Sequence, residues 1–187
     1  MSHTRADAWD TVCEFTESEN LRRHMLAVEA VMRTYAGRMG GDEETWAIAG
    51  LLHDFDYERY PDEHPTRGEQ ILAERGWSEE LRRAVLSHAD HTGVERDSDM
   101  ERALHASDDV TGFIVAVGLV RPDRDLGNVA MKSVRKKWKN LAFAGGVDRG
   151  EVEAAAGAIG MSIDDHLAVV LEAMQAIAAD LGLAGSD

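Results

Sequence analysis

Apolar residues recur at intervals of three and four along most of the chain, as in Leu21, Met25, Val28, Met32 and Tyr35. This spacing places apolar side chains on one face of an α-helix, whereas the two-residue alternation typical of a strand is scarce. The pattern therefore predicts an all-α protein.

Capping residues and glycines divide this pattern into separate helices. Ser18 can start one helix, which Gly37 to Gly41 can end, and Asp42 can cap the next. Pro65 suits the first turn of a third helix, because its missing amide proton has no partner there. The predicted helices cover about residues 18–37, 43–52, 65–76, 78–92, 98–121, 128–139, 148–158 and 162–181.

The length of 187 residues fits one domain with enough chain to bury a full hydrophobic core. We predict a single domain over residues 1–187, with a helical core at about 19–122 and a C-terminal helical extension at about 123–187. No internal repeat or low-complexity linker interrupts the sequence. Gly145-Gly146 is the best candidate for a hinge.

The formal net charge of -15 argues against nucleic-acid polymers and anionic membranes as partners, since both attract basic surfaces. The first residues lack the apolar stretch of a signal peptide, and no apolar run is long enough for a membrane span. Cys13 stands alone and cannot form an internal disulfide. These features predict a cytoplasmic protein; the oligomeric state is left open.

Six potential metal ligands are spread over the first two thirds of the chain. They are His24, His53, Asp54, His64, His88 and Asp108. Imidazole and carboxylate ligands together favour one or two divalent transition metals such as Mn, Fe, Co, Ni or Zn, with Mg also possible, over Ca. A carboxylate can bridge two metals, and Asp54 follows His53 where an apolar helix is predicted to end.

The order and surroundings of these ligands resemble the HD-domain superfamily of metal-dependent phosphohydrolases, from about Leu21 to about Thr111. The sequence from His53 to Pro61, followed by His64-Pro65, is similar to a branch of predicted HD hydrolases with extra histidines. So is the stretch Leu86-Ser87-His88-Ala89-Asp90. The resemblance implies an HD-domain helical bundle with a C-terminal helical extension.

The resemblance also implies how the ligands divide between two metals. His24, His53, Asp54 and Asp108 would hold the first metal. Asp54 would bridge to a second metal held by His64 and His88. HD proteins with a single metal lack the extra histidines, so one metal is the alternative.

Several nearby polar residues compete for roles around such a site. His91 is predicted on the same helix face as His88 and can replace or assist it, but His88 ranks first because its surroundings resemble the family better. Asp109 is expected to support the site or face solvent, because Asp108 and Asp109 cannot both point inward. His105 is expected to support the site or have a structural role. His166 is expected to belong to a capped helix start instead of the site.

The general acid of the reaction is not predicted. Asp56 and Glu58 are the nearest acidic candidates after the His53-Asp54 pair. Their spacing does not match the family pattern cleanly, because Tyr57 stands where a catalytic glutamate sometimes occurs.

A basic segment, Lys132 to Lys139, carries five of the chain's twenty lysine and arginine side chains. The related predicted hydrolases share its Lys-Ser-Val-Xaa-Lys-Lys pattern. Lys132, Arg135 and Lys136 share one helical face, and we predict that they contact substrate phosphate. A solvated helical face is the alternative. Trp138 can stack on a nucleobase or be buried.

Taken with the resemblance, these residues predict a metal-dependent phosphohydrolase. Metal-activated water would cleave a phosphate monoester or phosphodiester of a small phosphorylated, nucleotide-like substrate. The alternatives are an HD-type di-iron oxygenase, which uses the same ligands, and a regulatory module that binds a nucleotide without turnover.

Overall fold

The computed structural model describes residues 3–185, which fold into nine α-helices and no β-strand. The helices are α1 (Arg5–Phe15), α2 (Glu19–Met39), α3 (Glu43–Leu52), α4 (Thr66–Glu74), α5 (Glu79–Ser87), α6 (Asp99–Leu119), α7 (Met131–Trp138), α8 (Arg149–Ala158) and α9 (Ile163–Ala176). Short 3₁₀ helices cover Asp90–Thr92 and Leu126–Asn128. The prediction of an all-α protein is confirmed.

The starts of α2 and α3 lie where the capping residues predicted them. The Ser18 side chain accepts a hydrogen bond from the amide of Leu21, and Asp42 accepts one from Thr45. Gly40 ends α2 with a φ of 76°, a left-handed conformation that glycine adopts without steric cost. These boundaries follow from local hydrogen bonds, which neighbouring residues specify.

Two parts of the chain differ from the predicted helices. Helix α1 was not predicted; Thr4 and Asp7 cap it reciprocally, and its short buried face includes Ala8 and Val12. Helix α5 ends at Ser87, and Asp90–Thr92 form a separate 3₁₀ turn. The prediction that His88 and His91 share one helix face is therefore wrong.

The hydrophobic core consists of two clusters. The larger cluster joins α2 and α6 to the last three helices, with Met32, Phe113, Val134 and Leu167 among its buried members. The smaller cluster joins α1, α3, α4 and α5. Residues on both sides of position 122 share the larger cluster, so the C-terminal extension at about 123–187 packs on the helical core at about 19–122. The predicted boundary between the two stays a prediction.

Helices α2 and α3 approach each other closely just before His53. A Cβ atom added to Gly50 would lie 2.9 Å from the backbone oxygen of Val28 and 3.0 Å from the Cα of Glu29. Glycine at this position therefore allows α3 to lie against the backbone of α2. The contact brings the end of α3 next to the part of α2 that carries His24.

No helix among residues 3–185 is by itself long and apolar enough to cross a membrane. Helices α8 and α9 meet the length and composition criteria only as a pair bent by 90°.

Candidate metal centre

The six predicted ligands come from five helices or their ends and meet around one cavity. His24 lies on α2 and Asp108 on α6; His53 and Asp54 directly follow α3, His64 precedes α4, and His88 directly follows α5. His53 is fully buried. The other five line a cavity of about 410 Å³.

Four of these residues form a first group of donor atoms, consisting of His24, His53, Asp54 and Asp108. The Nε2 atom of His24 lies 3.2 Å from Nε2 of His53 and 3.0 Å from Oδ1 of Asp108. Asp54 Oδ2 lies 3.7 Å from His24 Nε2 and 3.5 Å from His53 Nε2. Metal–ligand bonds of about 2.1 Å separate neighbouring donors by about 3.0 to 3.4 Å. The observed distances of 3.0 to 3.7 Å reach slightly beyond this range, and the four donors are close enough together to hold a metal ion.

A second group consists of Asp54, His64 and His88. Asp54 Oδ1 lies 3.2 Å from Nε2 of His64 and 3.5 Å from Nε2 of His88, and these two nitrogens are 3.3 Å apart. The two carboxylate oxygens of Asp54 thus face different groups. This is the arrangement of a bridging carboxylate.

The second nitrogen of each histidine is engaged away from the cluster. Nδ1 of His53 donates to the carbonyl of Gly50 at 2.8 Å, and Nδ1 of His88 donates to that of Val85 at 2.5 Å. Nδ1 of His24 lies 3.3 Å from the hydroxyl of Thr111. Such outer contacts select the tautomer that leaves Nε2 free for a metal. The donor set therefore fits a metal chemically as well as geometrically.

Asp56 holds His64 in place. Its buried carboxylate accepts a hydrogen bond from Nδ1 of His64 and one from the amide of Gly68, both at 2.7 Å. Glu58, the other predicted acid candidate, accepts hydrogen bonds from the amides of Glu17 and Ser18. Sequence reasoning missed the supporting role of Asp56, since nothing in its spacing from His64 signals the contact.

The structure distinguishes His88 from His91. Nε2 of His88 points into the second donor group, whereas Nε2 of His91 donates to the backbone oxygen of His64 at 2.9 Å. His105 donates from Nδ1 to the backbone oxygen of His88, and Arg96 donates to the same carbonyl at 3.1 Å. His91, His105 and Arg96 thus support the backbone around the cluster.

Two further residues lie outside both donor groups. Asp109 lines the cavity, but its side chain is exposed and belongs to neither group. His166 is buried between Tyr35 and the backbone oxygen of Ala106. Both placements agree with the sequence analysis.

Charges within the cluster stabilise one another. Burial lowers the pKa of His53, but the carboxylates of Asp54 and Asp108 outweigh burial and raise this pKa to about 9. Burial likewise opposes ionisation of Asp54 and Asp108, yet the neighbouring imidazoles hold both carboxyl pKa values below the usual range. Because protons and metal ions would compete for the same Nε2 atoms, metal binding here would release protons.

The basic segment does not reach this cavity. Lys132, Arg135 and Lys136 are exposed on α7, and none is among the described residues that line the cavity. Arg135 forms an ion pair with Asp164 at 3.0 Å. The phosphate-contact role of these side chains stays a prediction. Trp138 is buried and packs on Phe113, so it is a core residue.

We expect Gly68→Ala to weaken metal binding at the second group selectively. The added Cβ would lie 2.7 to 2.9 Å from the carboxylate of Asp56, which would have to move away from His64. Loss of such an outer contact typically weakens metal binding by about 10 to 100-fold. Competition titrations with a chelator would measure both affinities.

Gly157→Ala is the matched control, because Gly157 also lies within a helix and an added Cβ meets no atom within 4 Å. It should leave both affinities unchanged. Equal affinities in the Gly68 variant and the wild type would mean that Asp56 does not position His64 for a metal.

The fold and the site define an all-α protein with a candidate histidine–aspartate centre for one or two metal ions. The HD domain family model matches residues 21–112, just under half of the chain, and this range includes all six candidate ligands. The chain therefore belongs to the HD domain family over these residues. No curated protein and no solved structure matches the chain.

Proposed function

We propose that this protein is a metal-dependent phosphohydrolase that cleaves a phosphate monoester or phosphodiester of a small molecule with metal-activated water. The observation that carries this proposal is the orientation of Asp54, whose two oxygens face two separate groups of imidazole and carboxylate donors. Membership of the HD domain family, in which hydrolases are common, supports it.

The residues of the cluster would have different roles in such a centre. Two divalent ions bound here would lower the pKa of a bound water and neutralise charge that develops on a phosphate. The five ligands at the cavity surface would bring both ions into contact with substrate, while buried His53 holds its position through Gly50. Ordered outer contacts keep the imidazoles in place, so little reorganisation accompanies binding.

The size and charge of the protein favour a small substrate over a polymer. The cavity of about 410 Å³ lies within the range of roughly 300 to 1,000 Å³ that small-molecule pockets occupy. The net charge of -15 repels a long polyanion, whereas a single phosphate can reach the metal ions locally.

The experiment combines metal analysis with a search for activity. We expect the purified protein, after loading with Mn, Fe, Co, Ni or Zn, to hold about two metal equivalents per chain and to release phosphate from small esters. His53→Ala should lose metal from the first group, because one of its four donors is gone. Elemental analysis per chain and phosphate release, both with and without oxygen, would measure these effects.

Other outcomes would overturn the proposal in favour of a named alternative. Oxygen consumption by the iron-loaded protein, with no phosphate release under anaerobic conditions, would identify a di-iron oxygenase. Tight nucleotide binding with no turnover across the metals would identify a regulatory binding module. Absence of metal after loading would assign His53 and Asp54 structural roles.

A further inference from the structure

The cavity beside the candidate centre is lined by two chemically different sets of residues. Five candidate metal ligands and Asp109 form the polar set. Tyr57, Ala89, Gly112 and Val147 provide apolar surface on the rest of the lining. Tyr57 is 50% exposed, an unusual degree for a large apolar side chain in this protein, so much of its ring is available for contact.

The lining is also short of positive charge. It contains three carboxylates, from Asp54, Asp108 and Asp109, and within residues 3–185 no lysine or arginine contributes to it. Enzymes that act on nucleoside triphosphates surround the phosphates with lysine or arginine as well as metal ions. Here two divalent ions would carry four positive charges against the three negative charges of the carboxylates. The net excess of one positive charge suits a single phosphate group and disfavours a polyphosphate.

Tyr57 is held next to the second donor group. Its backbone amide donates to the backbone oxygen of Asp54 at 3.1 Å, which places the residue one turn beyond the bridging ligand. Its ring lies edge to face with the imidazole of His64, with ring centres 5.3 Å apart. A group attached to a phosphate at this centre would therefore have the Tyr57 ring within reach.

Val147 lies on a segment that a single arginine holds in place. The Arg149 guanidinium donates to the backbone oxygens of Phe143 at 2.6 Å and Val147 at 2.9 Å. It also lies over the rings of Phe113 and Trp138. Because these contacts order the segment before any ligand arrives, its apolar surface is preorganised for binding.

We propose that this cavity selects monophosphate esters whose leaving group is an aryloxy group, with its aromatic ring packed against Tyr57 and Val147. The inference rests on the proposed phosphohydrolase function and names its substrate class. Hydrolysis of such an ester adds water to phosphorus and breaks the bond from phosphorus to the ester oxygen. That oxygen gains a proton, and the products are a hydroxyl compound and inorganic phosphate.

The first test measures binding without turnover. Calorimetry would compare the binding of phenylphosphonate and methylphosphonate to the metal-loaded protein. The two compounds differ only in the group on phosphorus, which is a phenyl ring in one and a methyl group in the other. Aromatic contacts of this kind change affinity by about tenfold or more, so we expect phenylphosphonate to bind at least that much more tightly. Tyr57→Ala should remove most of this advantage, and Tyr57→Phe should keep it.

Leu141→Ala is the matched control, because Leu141 is 72% exposed and lies outside the cavity lining. It should bind both phosphonates as the wild type does. Equal affinity of the wild type for the two phosphonates, or an advantage that survives in Tyr57→Ala, would overturn the proposal. So would a failure of both phosphonates to bind.

The second test addresses the number of phosphates. Adenosine monophosphate and adenosine triphosphate would compete with phenylphosphonate, with metal in excess over nucleotide so that chelation does not strip the centre. We expect the monophosphate to compete at a lower concentration; stronger competition by the triphosphate would overturn the inference. Binding preferences as proposed, combined with no hydrolysis of any ester, would refute the phosphohydrolase function alone.

Discussion

Asp54→Ala is expected to abolish binding of both metal ions and reduce hydrolysis to the assay background, while helical content stays near that of the wild type. The reason is geometric: Oδ2 lies 3.5 Å from Nε2 of His53, and Oδ1 lies 3.2 Å from Nε2 of His64. Removing this carboxylate takes one donor from each group. Elemental analysis, phosphate release and circular dichroism would measure the three effects.

Asp109→Ala is the matched control for this variant. Asp109 is also a carboxylate on the cavity wall, but it belongs to neither donor group. It should keep about two metal equivalents, and His166→Ala should do the same, because His166 contacts Tyr35 and Ala106 instead. Metal retention or activity in Asp54→Ala would contradict the bridging role of Asp54.

Acidification from pH 7 to pH 4 is expected to lower the free energy of unfolding by about 3 kcal/mol through His166 alone. Burial lowers the pKa of His166 to about 4, from the ordinary value of 6.5. Between these values the unfolded chain binds a proton and the folded chain does not, so stability falls as the pH falls through this window. The difference between the folded and unfolded pKa of His166, at about 1.4 kcal/mol per pKa unit, sets the size of this stability loss.

The contacts of His166 explain why its protonation is costly. Nε2 donates to the backbone oxygen of Ala106 at 2.9 Å, and Nδ1 accepts from the hydroxyl of Tyr35 at 2.5 Å. Burial raises the pKa of Tyr35, so its hydroxyl keeps the proton that it donates. A proton on Nδ1 would replace this hydrogen bond with a buried charge that has no acidic partner among these contacts.

Urea unfolding of the metal-free protein at several pH values would measure this effect, with His166→Gln as the control. The free energy of unfolding of the variant should change less between pH 6.5 and pH 4 than that of the wild type. His53 and His64 do not interfere, because their raised pKa values of about 9 remove stability only as the pH rises above 6.5. The same pH dependence in both proteins would exclude His166 as its cause.

Much of the architecture was predictable from the sequence because it depends on neighbouring residues. Ser18 and Asp42 cap their helices as predicted, and Ser98 caps the helix predicted at about 98–121, since each side chain accepts a hydrogen bond from an amide three residues later. Apolar spacing identified the core faces of the longer helices. Helix α1 escaped prediction because its buried face is short and includes the polar Thr11.

The choice of candidate ligands also came from the sequence, because the HD pattern depends on residue type and order. The structure brings all six side chains around one cluster, including His24 and Asp108, which are far apart in the chain. Their role as metal ligands stays a prediction. The structure makes this prediction more specific, since the two oxygens of Asp54 face two separate groups of donors.

The sequence alone therefore determined the helical class and most helix starts, because short-range hydrogen bonds and apolar spacing specify them. It also supplied the candidate donor residues, through residue type and order. Only the tertiary structure decided that His88 and not His91 faces the cluster, that Asp56 supports His64, and that the basic helix α7 lies away from the cavity. These outcomes depend on where helix ends meet and on which ring nitrogen points inward. Packing between distant segments sets such contacts, and residue spacing along the chain does not encode them.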